Sequence, residues 1–333
     1  MGVWCGRYVS SGERGSKYMS TQLGDTNVTA VQASVRPRIN WREVILFGLL
    51  AYGLAWAWWG FWLFPYLGTL LTQPTTPTDL VGQASGMLAL AIPLGMFAPM
   101  IAALIMRMFV SKEGLKGSLG LWRSWRYYLV ALVAPPVFVT VVVLIVQALG
   151  LGECRWSEVS WLAYLTLMLM TLPNIPFTLG EEYGWRGYLL PRLLPLGEIR
   201  ATLLVGLIWG PWHVPFLLAG LNYPGVNFWL AVLVFCFTVV VLSFAYTWFY
   251  VAASGSVVVV ALLHQSFNTF ADTFWQPPLM PEGSQLAASV VSGVMLVALV
   301  VVVYGFFKRS VRVEDSERFV HPKLDGTWRD WVR

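Results

Sequence analysis

The segment "VSWLAYLTLMLMTLPNIPFTLGEEYGWRGYLLP", residues 159–191, joins an apolar run directly to a charged stretch. Residues 159–179 carry no charged side chain. As a helix rising about 1.5 Å per residue, they are long enough to cross the hydrocarbon core of a bilayer. Glu181 and Glu182 follow at once, and Arg186 lies four residues beyond the second carboxylate. Because ionisable groups are costly so close to lipid, they predict an internal partner or a cavity.

The whole chain has the composition of a membrane protein. Of its 333 residues, 57% are hydrophobic and 12% are charged, whereas about 25% are charged in soluble domains. We expect an all-α polytopic membrane protein, with about eight transmembrane helices within residues 41–307 and cytoplasmic tails at 1–40 and 308–333. The approximate limits of the eight apolar runs are 44–66, 83–106, 127–150, 159–179, 201–220, 228–252, 256–275 and 286–307.

Basic residues recur on alternate sides of these runs. Arg36, Arg38 and Arg42 stand directly before the first run, the loops after the second and fourth runs are basic, and Lys308 and Arg309 begin the C-terminal tail. The loops after the first, fifth and seventh runs contain no Lys or Arg, and the loop after the third contains only Arg155. By the positive-inside rule, both termini are predicted to be cytoplasmic.

The sequence disfavours a nucleic-acid partner and a structural role for its cysteines. No block of basic residues is interleaved with aromatic residues, so a nucleic-acid partner is not expected. The three cysteines, Cys5, Cys154 and Cys236, show no C-x-x-C spacing, so the sequence indicates neither a disulfide framework nor a cysteine metal site. The expected partners are the lipid bilayer and a substrate within it.

Polar groups interrupt the apolar runs at three places. The first is the opening segment, where Glu182 and Arg186 are four residues apart, share a helical face and can pair. Glu181 is rotated from Glu182 by about 100° and is left available. The second is His213, which lies in the fifth run between Pro211 and Pro215. Prolines there would kink the helix, free backbone carbonyls and open space.

The third place is the seventh run, where His264 and Asn268 are four residues apart and share a face. Counted from Ser256, His264 lies about 12 Å into the helix. Each place alone could be an ordinary salt bridge or interhelical hydrogen bond. Together, one glutamate, two histidines and an asparagine could activate water and stabilise an oxyanion. We expect them to converge in the cytoplasmic half of the bundle, in a cavity open to the cytoplasm or inner leaflet.

Three ordered motifs resemble those of the CAAX protease and bacteriocin-processing (CPBP, or Abi) family of intramembrane endopeptidases, which is related to the Ras-converting CAAX prenyl endopeptidases. They are EExxxR at residues 181–186, WxxxH at Trp209 and His213, and HxxxN at His264 and Asn268. The resemblance covers about residues 85–275. It implies a peptidase of a bacterial plasma membrane that cuts membrane-associated substrates, some of them prenylated or otherwise lipid-anchored.

The resemblance also implies a role for each motif residue. Glu181 is the general base, His213 helps to hold the water, and His264 and Asn268 steady the oxyanion. The remaining motif residues support the site structurally. These are Glu182, Arg186 and Trp209.

The metal requirement is open at the level of sequence. Glu181, His213 and His264 would make a His₂Glu zinc set of the catalytic kind, which would make the chain a metalloprotease. No H-E-x-x-H pairing is present, however. We favour a glutamate-activated water without an obligatory metal, so no cofactor is expected with certainty.

Two other classes of function compete with the peptidase. A transporter or channel would have polar residues at a midplane site shared by repeats. Here they lie only in the second half of the chain, and no repeat is visible. A non-catalytic membrane scaffold of the same fold is the other alternative, although complete motifs disfavour it.

Overall fold

The structure, a computed structural model, describes residues 39–63, 92–120, 125–218, 222–223, 226–275, 279–281 and 284–306. In these residues all regular structure is helical. Most of the predicted tail 1–40, all of the tail 308–333 and the loop after the first apolar run lie outside them. The described residues contain eight long helices, which are α1 (Trp41–Leu63), α2 (Ile92–Val110), α3 (Trp125–Ala148), α4 (Trp161–Leu196), α5 (Glu198–Leu218), α6 (Phe228–Ala252), α7 (Val257–Phe274) and α8 (Ser284–Phe306).

Each predicted run corresponds to one of these helices. Within the described residues, seven helices are long and apolar enough to cross a membrane, and α7 is outside that set. The second half of α7, "HQSFNTFADTF", is too polar for lipid contact. Helix α7 instead lies inside the bundle, where most of its side chains are buried and need no apolar outer face.

Helix α7 packs mainly against α3 and α4. Pro136 in α3 has no backbone N–H and leaves the carbonyl of Leu132 without its helical donor. The Ser266 hydroxyl of α7 donates to that carbonyl at 2.9 Å. On the other side, the Thr178 hydroxyl of α4 donates to the Ala261 carbonyl at 2.9 Å. The Ser266 bond gives a donor to a buried carbonyl that would otherwise lack one, and both bonds fix the position of α7.

Helix α4 is longer than the sequence predicted. The fourth run was expected to end at residue 179, but the helix continues through a π-helical turn at Trp185–Leu189 and ends before Gly197, whose φ is +89°. Residues 180–194 are buried. Glu181, Glu182 and Arg186 therefore lie within the helix and inside the protein, not in a loop after the fourth run. The helix can continue through charged residues because these residues pair with groups on other helices. A hydropathy pattern gives no information about such partners.

A buried ion network holds the end of α4. Arg192 pairs with Glu43 of α1 at 2.8 Å and with Glu113, just beyond α2, at 2.8 Å. Glu113 also pairs with Arg107 at 2.7 Å, and Arg107 donates to the Gly187 carbonyl within the π-helical turn at 2.6 Å. Arg107 and Arg192, which follow the second and fourth apolar runs and were expected in basic loops, are thus buried inside the protein. The orientation of the chain in the membrane stays a prediction.

Helices α2 and α4 cross in backbone contact. A Cβ at Gly180 would lie 2.7 Å from the Met96 carbonyl oxygen, and one at Gly184 would lie 2.4 Å from the Pro99 Cβ. The two helices can approach this closely because neither glycine has a side chain. This crossing brings α2 against the turn of α4 that carries both glutamates.

We expect Gly184→Ala to destabilise the protein by about 1–3 kcal/mol, the usual effect of overpacking, because the methyl group would displace the α2 backbone. Thermal unfolding of the detergent-solubilised protein measures the effect. Gly53→Ala in α1 is the matched control, since its methyl would meet nothing within 4 Å. Equal melting temperatures for the two variants would contradict the tight crossing.

Candidate active site

The predicted pair of Glu182 and Arg186 is present and forms the centre of a buried charge network. The Arg186 Nη1 donates to Glu182 Oε1 at 2.9 Å, and neither side chain is exposed. The same carboxylate oxygen bonds Nδ1 of His264 at 2.8 Å. Glu182 therefore ties the turn of α4 to α7 and orients the imidazole of His264.

The guanidinium of Arg186 is enclosed by α5 and α6. Its Nη2 donates to the Ser243 hydroxyl at 3.2 Å, and its Cζ lies 4.3 Å from the ring centroid of Trp209 and 5.0 Å from that of Tyr246. Aromatic faces attract a desolvated cation. The charge is thus balanced by a carboxylate on one side and by ring electrons on the other.

Glu181 points away from this pair, as the helical geometry predicted. Its Oε2 accepts from Nε1 of Trp209 at 2.7 Å, and the side chain is only 2% exposed. No positively charged side chain of the described residues forms an ion pair shorter than 3.9 Å with it. One carboxylate is therefore committed to the network, and the other faces the interior with a single neutral donor.

His213 lies at a break in α5. Its backbone N–H bonds the Gly210 carbonyl, one residue closer than in an α-helix, and Pro215 has no N–H to continue the ladder. The Trp209 carbonyl is thereby released and lies 3.0 Å from His213 Nδ1. A carbonyl only accepts, so Nδ1 carries the proton and neutral His213 presents Nε2 as an acceptor. The predicted break in this helix is present, and the Trp209 carbonyl is free because the His213 N–H has shifted to Gly210.

Glu181 of α4 and His213 of α5 face each other across a short gap. His213 Nε2 lies 3.9 Å from Glu181 Oε2, too far for a direct hydrogen bond. A water molecule beside both atoms could bond to each at about 2.8 Å. The break in α5 and the turn of α4 thus create a position for one small polar molecule.

One cavity of about 220 Å³ unites the predicted catalytic residues. Glu181, His213, His264 and Asn268 all line it, as does Trp209. Glu182 and Arg186 do not line the cavity, but they contact His264 and Trp209, which do. Four residues from three helices, up to 87 positions apart in the sequence, therefore meet in one space.

The cavity extends in a direction that the sequence analysis did not predict. Its lining continues from His264 to Asp272 and Trp275 at the C-terminal end of α7, and to Asn222 and Tyr223 before α6. An opening had been expected at the other end of the bundle, where α7 begins. Which side of the membrane this end faces follows from the orientation of the chain, so the cytoplasmic opening stays a prediction. The kink of α5 and the polar second half of α7 both lie on the far side of Glu181.

Sequence reasoning missed three side chains around the site. Ser243 and Tyr246 lie in α6, an apolar helix with no motif, and nothing in the sequence pointed to them. Asp272 lies four residues after Asn268, so it continues the row of His264 and Asn268. The same spacing argument could have found it.

The arrangement of donors does not match a three-ligand metal site. Among the described residues, no group of three or more His, Cys, Asp or Glu side chains is placed to hold a metal ion. Nδ1 of His264 is already bonded to Glu182. Glu181 and His213 approach each other as a pair, without a third ligand beside them.

Comparison with known proteins gives one family. Residues 158–270 match the family model described as type II CAAX prenyl endopeptidase Rce1-like. The match spans a third of the chain, includes all three motifs, and begins later than the predicted start near residue 85. No curated protein matches the chain. With seven candidate spans in the described residues, the chain is an integral, multi-pass membrane protein.

We expect Arg186→Met to destabilise the protein by about 3–5 kcal/mol, because Glu182 would be left as a buried charge without its cation. Denaturant unfolding in detergent measures the loss. Ser243→Ala is the control, since it removes only the 3.2 Å bond to Arg186. The double variant Glu182→Gln/Arg186→Met should recover part of the stability. A single Arg186→Met variant as stable as the wild type would refute the role of this ion pair.

Proposed function

We propose that this chain, whose residues 158–270 form an Rce1-like domain of the CAAX protease family, is an intramembrane endopeptidase. It hydrolyses peptide bonds of membrane-anchored proteins or peptides with a water molecule activated by Glu181. The observation that carries the proposal is the meeting of Glu181, His213, His264 and Asn268 in one cavity within a membrane-embedded bundle.

The first step is deprotonation of the water between Glu181 and His213. His213 Nε2 accepts one hydrogen bond from the water, and Glu181 removes the other proton. The resulting hydroxide attacks the carbonyl carbon of the scissile peptide bond and gives a tetrahedral oxyanion. Collapse of this intermediate breaks the C–N bond, and Glu181 returns its proton to the leaving amine.

The oxyanion needs donors, and α7 supplies two candidates on one face. Asn268 lines the cavity, and no hydrogen bond is assigned to its amide within the described part of the chain. His264 also lines the cavity, and the bond between its Nδ1 and Glu182 fixes the orientation of its ring. Preorganised donors of this kind lower the energy of the transition state.

The surroundings of the site support an anchored substrate. The scissile segment has to reach groups buried inside a bundle that is otherwise in contact with lipid. An apolar or lipidated anchor concentrates a peptide in the bilayer beside the protein. The family match favours this peptidase over the transporter, channel and scaffold alternatives.

Glu181→Gln should lower the rate of cleavage of a membrane-anchored substrate by about 10²–10⁴-fold, the usual contribution of a general base. The amide keeps the shape of the side chain but cannot take the proton. Mass spectrometry of membrane-protein termini, in cells with the wild type or the variant, measures the loss. Glu158→Gln, an exposed carboxylate outside the cavity, is the matched control. Full turnover by Glu181→Gln would remove the proposed base.

Chelation separates the glutamate mechanism from a metalloprotease. Because the donors do not form a three-ligand set, we expect protein dialysed against EDTA to keep its cleavage rate. Metal analysis of the same sample would establish that it is metal-free. Loss of activity that stoichiometric zinc restores would instead support a zinc site at Glu181, His213 and His264.

A further inference from the structure

The cavity has a second polar end that the proposed hydrolysis does not use. Along α7, His264, Asn268 and Asp272 follow one another at four-residue intervals, and all three line the cavity. Helix α7 is described in full, and Asp272 is its one exposed residue. Asp272 lies about 12 Å along the helix from His264.

A second unpartnered acceptor lies at the same end. Gln285, near the start of α8, lines the cavity and is 6% exposed. Its Oε1 is buried and has no hydrogen-bond partner among the described residues. A buried acceptor without a donor is costly, so it indicates a missing ligand or solvent donor. A carboxylate and a free amide oxygen together favour a group that carries positive charge and several N–H donors.

The charged residues around this end of the cavity are also mainly negative. Residues 149–160, which join α3 to α4 at this end of the bundle, contain two carboxylates, Glu153 and Glu158, and one arginine. That arginine, Arg155, lies 3.6 Å from Glu158. Asp272 forms no ion pair with any residue that the structure describes. An unopposed negative field attracts cationic ligands and repels anionic ones.

We propose that this end of the cavity is a subsite for a lysine or arginine side chain of the substrate, bound by Asp272 with Gln285. The inference rests on the proposed endopeptidase function. An extended peptide advances about 3.3–3.6 Å per residue. The cationic residue therefore lies three to four positions from the scissile bond. A substrate that presents a carboxylate at this distance is disfavoured.

Peptide binding to the full chain tests the subsite. The parent is Glu181→Gln in nanodiscs of a zwitterionic phospholipid, so that bound peptide is not cleaved and the lipid adds no net charge. The probes are two fluorescent, palmitoylated peptides that are identical except for lysines or glutamates. We expect the lysine peptide to bind about tenfold more tightly. Adding Asp272→Asn should bring the two affinities together, and adding Asp272→Lys should reverse the preference.

Glu158→Gln on the same parent is the control for the general field at this end, and it should keep the lysine preference. Equal affinities in the parent, or a preference that Asp272→Asn leaves intact, would overturn the subsite. Cleavage of both peptides by the wild type separates the two proposals. No cleavage despite an Asp272-dependent binding preference would contradict the peptidase alone. Cleavage with a preference independent of Asp272 would contradict the subsite alone.

Discussion

The rest of the structure depends on the neutralisation of Glu182 inside the bundle. A carboxylate buried without a cation would cost several kcal/mol, so Arg186, one turn along α4, has to accompany it. The pair also requires partners for the guanidinium, which α5 and α6 supply through Trp209, Ser243 and Tyr246. The bond from His264 to the same carboxylate then brings α7 into the group. One buried charge thus fixes how four helices meet.

The burial of Glu182 in the ion network also explains why the adjacent Glu181 has different surroundings. Successive residues of a helix point about 100° apart, so Glu182 can be buried in the ion network only if Glu181 faces another way. Glu181 meets the broken end of α5, where the Trp209 carbonyl lacks its helical donor and instead bonds Nδ1 of His213. The ion network of Glu182 holds α4 against its neighbours, and the break in α5 leaves space for the cavity. Stability and the proposed chemistry are therefore assigned to neighbouring side chains without conflict.

The central position of α7 follows from its sequence as much as from its neighbours. Its first half, "VVVVALL", is apolar and packs in the core, and its second half has a polar row that no lipid could accept. Enclosing α7 within the bundle satisfies both halves, since Ser266 finds a carbonyl exposed by Pro136 and His264 finds Glu182. The remaining members of the row, Asn268 and Asp272, face the cavity. A helix too polar to face lipid thereby lines the interior along its length.

The sequence alone determined the helical membrane class, the approximate positions of the helices apart from the end of α4, the pairing of Glu182 with Arg186, and the break at His213. These features depend on hydrophobicity, helical spacing and the missing N–H of proline, which are local properties. Only the tertiary structure decided that α4 continues past Glu181, that His264 bonds Glu182, and that the cavity extends toward Asp272. The physical reason is the same in each case. The free energy of a buried charge or polar group depends on the partners that other helices bring to it, and those partners are distant in the chain.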